Sequence, residues 1–273
     1  ATEFSGGGGA DLITASAANV TIYGDSSSAD TAGGADSILV GSLTSSTVYG
    51  AAGADTLSFD AVASKAYVDL GTGASLFTGA GGITASTLLG GASNDTFSMA
   101  GGVTGTSIVG GAGVNDFDFS GGIITTTITS GSSNDSFTLT NGAVASSLLG
   151  GGGNDEFTIS GSAFTGSTIL AGAGADTVTV AATTELQGAY ISAIGSLANT
   201  ISAAGGITGS TLLGGSAADT FNLDGGLGVS ATRIIAGAGN DKIDLSHDAG
   251  GLIKTTTVQG GQGADTITVG GDL

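Results

Sequence analysis

Gly90-Gly91-Ala92-Ser93-Asn94-Asp95-Thr96-Phe97-Ser98-Met99 is the stretch on which the fold turns. A glycine-rich corner leads to an acid, and the acid leads to residues in which polar and apolar types alternate. The phrase returns along the whole chain. With Asp95 as the reference slot, the same phase falls at Asp11, Asp36, Asp55, Ser75, Asn115, Asp135, Asp155, Asp176, Asn199, Asp219, Asp241 and Asp265. From Asp55 to Asp155 the step is twenty residues five times running. A fixed period of this size means stacked coils, each touching only its neighbours.

Two positions after the slot every coil carries an apolar residue, from Ile13 to Ile267, with an aromatic run from Phe77 to Phe157. The intervening positions are mostly Thr, Ser, Asp or Asn. Alternation with period two predicts a half-buried strand. A second apolar row lies seven positions before the slot, at Val48, Val68, Leu88, Ile108, Ile128 and onward. The sequence therefore predicts an all-β parallel solenoid of about thirteen coils, with ~20 residues and two short strands per coil. It is read as one continuous unit over residues 1–273, and as part of a longer protein. Each coil has two unlike corners, one acidic and one neutral.

The 54 glycines supply the positive-φ corners of a tight coil. No proline interrupts the ladders. The net charge of −19 rests on 23 acids against Lys65, Arg233, Lys242 and Lys254, which argues against nucleic-acid binding. Ten of the 23 acids occupy the repeated slot, so the charge is built into the coil and is not a tail. There is no cysteine for a disulfide or a thiolate metal site. No apolar run approaches the ~20 residues that cross a membrane, and none is expected to insert. The lone histidine, His247, reads as a loop residue.

A file of carboxylates one coil apart repels itself in a poorly solvated groove. Calcium relieves this, because it takes six to eight oxygen ligands and accepts backbone carbonyls. The candidate ligands are Asp11, Asp36, Asp55, Asp95, Asp135, Asp155, Asp176, Asp219, Asp241 and Asp265, with Asn115 as a weaker oxygen donor. Ser75 and Asn199 are the expected gaps. About ten Ca²⁺ would bring the chain near neutrality.

Gly150-Gly151-Gly152-Gly153-Asn154-Asp155-Glu156-Phe157-Thr158 and Gly260-Gly261-Gln262-Gly263-Ala264-Asp265-Thr266-Ile267-Thr268 resemble the nonapeptide of RTX (repeats-in-toxin) proteins. The resemblance implies a right-handed parallel β-roll, multiple Ca²⁺ ions in the turns, and bacterial export. Only one corner carries the motif, which resembles one-sided members among bacterial surface adhesins and S-layer proteins.

The expected role is structural and non-enzymatic, as a self-associating S-layer or surface-filament unit outside the cell. Cell-surface polysaccharide is a further candidate partner. A row six positions before the slot (Tyr49, Leu89, Val109, Leu149, Leu170, Leu213, Ile235) either faces a lateral partner or tucks beneath a corner. Outward Thr/Ser pairs such as Thr177 and Thr179 leave an adhesin extender or ice-binding module open. The calcium-folded tail of an exoenzyme is a third reading. The longer steps carry insertions with Asp25, Asp30, Glu185 and Tyr190, expected to bulge from corners.

Overall fold

The computed structural model describes residues 2–16, 18–29, 31, 33–223, 227–246 and 252–270. His247 and Asp30 lie outside them. The chain forms two compact units, residues 1–133 and 134–273, each built of parallel sheets. In the coil of Asp95 the strands are Thr87–Gly91 before the acidic corner, Thr96–Met99 after it, and Val103–Thr104 beyond. Each strand pairs in parallel with its counterpart one coil away. Phe97, for example, sits opposite Phe77 on one side and Phe117 on the other.

The first unit contains a sheet running from Thr2–Ser5 to Thr127–Gly131, a second from Leu12–Ala15 to Asp116–Phe119, and a third from Ala63–Ser64 to Ile123–Ile124. The second unit repeats the scheme, from Ser147–Gly152 to Thr257–Gln262, Ser136–Leu139 to Thr266–Val269, and Ala143–Val144 to Ile253–Lys254. The third sheet corrects the expectation of two strands per coil. Its strands are two residues long, too short to show a period. All but the last, Ile253–Lys254, still bury one apolar residue, among them Ile83, Val103 and Ile123 in one unit and Phe164, Leu186 and Ile207 in the other.

The core follows from the alternation. In the strand Thr96–Met99, Phe97 and Met99 are buried while Thr96 and Ser98 are half-exposed. Equal steps stack like on like, so Phe97 and Phe117 lie 5.2 Å apart and nearly parallel, as do Phe137 and Phe157 at 4.4 Å. Such pairs add about 0.5–1.5 kcal/mol beyond the area they bury. The row six before the slot is mostly half-buried; Leu170 is its exposed member, at 39 %. Asp25 departs from the expectation that its insertion bulges. It is fully buried, and its carboxylate accepts the N–H groups of Gly34 and Ala52.

The neutral corner uses hydroxyls where the acidic corner uses carboxylates. Ser86 Oγ accepts the Ala66 N–H at 3.0 Å and donates to Thr84 O at 2.8 Å. Ser167 and Ser210 accept in the same way from Ser146 and Ala189. The residue before each hydroxyl takes a left-handed conformation, with φ of 49° at Ala85 and 48° at Thr125. That conformation costs an L-residue about 1–2 kcal/mol, most of all a β-branched one.

Two opposite outcomes follow in urea unfolding at saturating calcium. Ser86→Ala leaves the buried Ala66 N–H without its acceptor and is expected to cost about 1–3 kcal/mol. Thr125→Gly removes the strain while adding freedom to the unfolded chain, for a net gain of roughly 0.5 kcal/mol. A destabilising Thr125→Gly would contradict the strain account.

Candidate metal centre

The slot residue is the last of the acidic corner, directly before a strand, and its side chain turns inward. Asp36, Asp55, Asp95, Asp135, Asp155, Asp176, Asp219 and Asp241 are each at most 2 % exposed, as are Asn115 and Asn199. Asp11 and Asp265 are half-buried. The row comes together through one oxygen of each side chain, which accepts the N–H of the slot residue one coil earlier. Asp36 Oδ1 takes the Asp11 N–H at 2.8 Å, Asp55 takes Asp36 at 2.9 Å, and Asp155 takes Asp135 at 2.8 Å. Asp176, Asp241 and Asp265 take Asp155, Asp219 and Asp241 at 2.9, 2.8 and 3.0 Å. Ser75 keeps the ladder with its hydroxyl, 3.2 Å from the Asp55 N.

The second oxygen has a different situation. Oδ2 of Asp11, Asp36, Asp55, Asp95, Asp155, Asp176 and Asp241 is buried without a hydrogen-bond partner. The glycines show what it faces. A Cβ on Gly90 would lie 2.6 Å from Asp95 Oδ2 and 2.5 Å from the carbonyl oxygen of Gly110, the matching residue of the next coil. The same pair of oxygens crowds that point at Gly24, Gly50, Gly150 and Gly214, where the next-coil carbonyls belong to Gly50, Leu70, Ala171 and Ala236. Glycine is needed here because a side chain would collide with both. At Asp219 the outer oxygen is taken by the Gly215 N–H, at 2.5 Å. In the coil where the slot shortens to Ser75, the glycine position holds the buried Leu70, a complementary change in volume.

Two acceptor oxygens converging in a buried corner need a positive group between them, a proton or a cation. Burial pushes the Asp155 carboxyl up to about 7, against the hydrogen bond from Asp135, with the charges of Asp176 and Asp135 adding to the rise. Burial likewise pushes Asp55 and Asp95 up to about 6. It raises Asp36, Asp176 and Asp241 as well. Among the described residues no three acid or histidine side chains gather into one cluster. The ligands on offer are single carboxylate oxygens with backbone carbonyls. That hard, all-oxygen set fits calcium, which accepts carbonyls and irregular geometry, better than zinc.

The family description "RTX calcium-binding nonapeptide repeat" matches four segments, residues 5–28, 31–62, 230–246 and 255–272. These segments carry RTX-type calcium-binding repeats on a parallel β-solenoid. RTX nonapeptides are calcium-binding motifs, and their number here agrees with multiple Ca²⁺ ions. The matched segments hold Asp11, Asp25, Asp36, Asp55, Asp241 and Asp265; between them the same slot spacing continues with more varied corners. No curated protein matches the chain significantly. Among solved structures it is similar to a TibC-catalyzed hyper-glycosylated TibA fragment, at 18% identity over 99% of both chains with a TM-score of 0.39.

Sequence reasoning missed Asp25, whose charge also raises the carboxyls of Asp36 and Asp55. An insertion gives such a residue no repeat phase from which to read its burial.

The raised carboxyls fix the sign of a pH effect. A group whose value in the folded state lies above its ordinary 3.8 favours the protonated fold. Its stabilising share is whole below about pH 4 and is lost as pH rises through about 6 to 7. In chelator, the urea midpoint is therefore expected to be higher near pH ~4.5 than near pH ~8. Saturating calcium is expected to remove most of that difference. A metal-free chain more stable at the higher pH would contradict the burial argument.

Proposed function

We propose that the chain is a calcium-stabilised structural solenoid of a secreted bacterial cell-surface protein, acting as a self-associating S-layer or surface-filament unit and not as an enzyme. The observation that carries the calcium part is the orphaned Oδ2 facing the carbonyl of the next coil. In this reading Asp11, Asp36, Asp55, Asp95, Asp135, Asp155, Asp176, Asp219, Asp241 and Asp265 hold ions together with those carbonyls. Bound calcium supplies charge neutralisation and a cross-link between coils. The residues' own part is positional. Within each unit, Oδ1 of every slot acid after the first anchors its side chain to the preceding coil, and the glycine clears room for Oδ2.

Self-association is supported by apolar surface in the second unit. Tyr190, Ile194 and Leu197 of the longer coil are 39 %, 60 % and 52 % exposed, and Leu170 lies on the adjacent strand. Exposed aromatic and aliphatic groups gathered in this way suit a protein contact. Export fits as well: calcium at ~10⁻⁴–10⁻³ M, the range of extracellular modules, is what such a fold requires. Among the described residues no helix is long and apolar enough to cross a membrane.

Far-UV circular dichroism is expected to gain β signal as calcium rises through ~10⁻⁴–10⁻³ M and to give up that gain, but not the whole β signal, in EDTA. A spectrum indifferent to both removes the calcium reading. Sedimentation at millimolar calcium is expected to show oligomers that Tyr190→Glu with Leu197→Glu disperses. A parent protein that stays monomeric at high concentration contradicts the assembly reading.

A further inference from the structure

The slot row is interrupted by amides, and their hydrogen bonds give them a distinct job. A Cβ on Gly110 would meet Asn115 Nδ2 at 2.7 Å and Ser130 O at 2.8 Å. This is the same cradle as at Gly90, but the facing atoms are a nitrogen and an oxygen in place of two oxygens. Asn115 Nδ2 donates to Ser130 O at 3.3 Å and to Gly113 O at 3.2 Å, while Oδ1 accepts the Asp95 N–H at 3.0 Å. The network fixes the orientation of the amide. Reversed, Nδ2 would face a backbone N–H and Oδ1 a carbonyl. Asn199 closes its corner differently, within its own coil. Its Oδ1 accepts the Asp176 N–H at 2.9 Å and its Nδ2 donates to Ala193 O at 2.6 Å. Both side chains are at most 2 % exposed.

We propose that Asn115 and Asn199 are cation-independent stitches: the Asn115 amide N–H closes, toward the next coil, the corner that a metal ion closes at the acidic coils, and the Asn199 amide N–H ties its own corner shut from within the coil. The proposal rests on the reading that the slot acids hold calcium. Asn115, expected from sequence to be a weaker oxygen ligand, turns a donor toward the carbonyl, and a donor there repels a cation. The acids then fall into separately filled blocks. In the first unit Asp11, Asp36 and Asp55 form one block, and Asp95 stands alone between Ser75 and Asn115. In the second unit Asp135, Asp155 and Asp176 form a block before Asn199, and Asp219, Asp241 and Asp265 form one after it. The stitches keep parts of the ladder closed when calcium is withdrawn, giving each block a folded edge against which to refill.

The test is amide hydrogen exchange on the whole chain with calcium and with EDTA, joined to ion counting by native mass spectrometry. On chelation the amides of Asp36 and Asp155, which donate to acids, are expected to exchange at least ~10-fold faster. The amides of Asp95 and Asp176, which donate to Asn115 and Asn199, are expected to change by less than ~3-fold. Asn115→Asp is expected to bind at least one more calcium per chain and to make the Asp95 amide chelator-sensitive. If all four amides accelerate together in the parent protein, or Asn115→Asp binds no further ion, the stitch is overturned while the calcium reading stands. If the parent binds no calcium and no amide responds to EDTA, the calcium reading falls and the stitch with it.

Discussion

Everything in the acidic corner depends on two oxygens that face one another: the Oδ2 of a buried aspartate and the backbone carbonyl of the coil that follows. Neither can donate a hydrogen bond, and neither reaches water. Left alone, the pair is repulsive in a medium of low effective dielectric. The same carboxylate is held in place by its other oxygen, which takes the slot N–H of the previous coil. The side chain therefore cannot swing away from the conflict. A bound calcium ion would resolve it at neutral pH; protonation would resolve it in acid.

The other corner shows that the conflict is a property of the acid and not of coiling. Ser86, Ser167 and Ser210 make the same coil-to-coil link with a hydroxyl that both accepts and donates. No charge is buried and no ion is called for. The cost appears instead as backbone strain at residues such as Thr125. Asn115 and Asn199 carry the hydroxyl logic into the acidic row. One fold thus contains charged and neutral solutions to the same task, closing a ladder at a turn, and only the charged one offers a site through which folding would answer to calcium.

The period, the parallel stacking and the inward rows were legible because twenty-residue steps place like residues over like, as Phe77, Phe97 and Phe117 show. The slot acids were legible for the same reason. The third sheet was hidden, since Val103–Thr104 and its counterparts are too short to establish alternation. The hydroxyl row was visible as a recurrence of Ser46, Ser86, Thr106 and Thr126, yet Ser and Thr are common enough in turns that recurrence alone did not mark them as buried. Asp25 was legible only as part of an insertion, and its burial was not, because its place depends on how that insertion folds back onto Gly34 and Ala52.

The most direct measurement is an X-ray structure of the chain grown with calcium, with anomalous difference density calculated at the acidic corners. The account predicts a peak between Asp155 Oδ2 and the carbonyl oxygen of Ala171, and equivalent peaks at Asp36 and Asp55. A corner devoid of density at neutral pH, with the two oxygens joined by a direct short hydrogen bond, would contradict it.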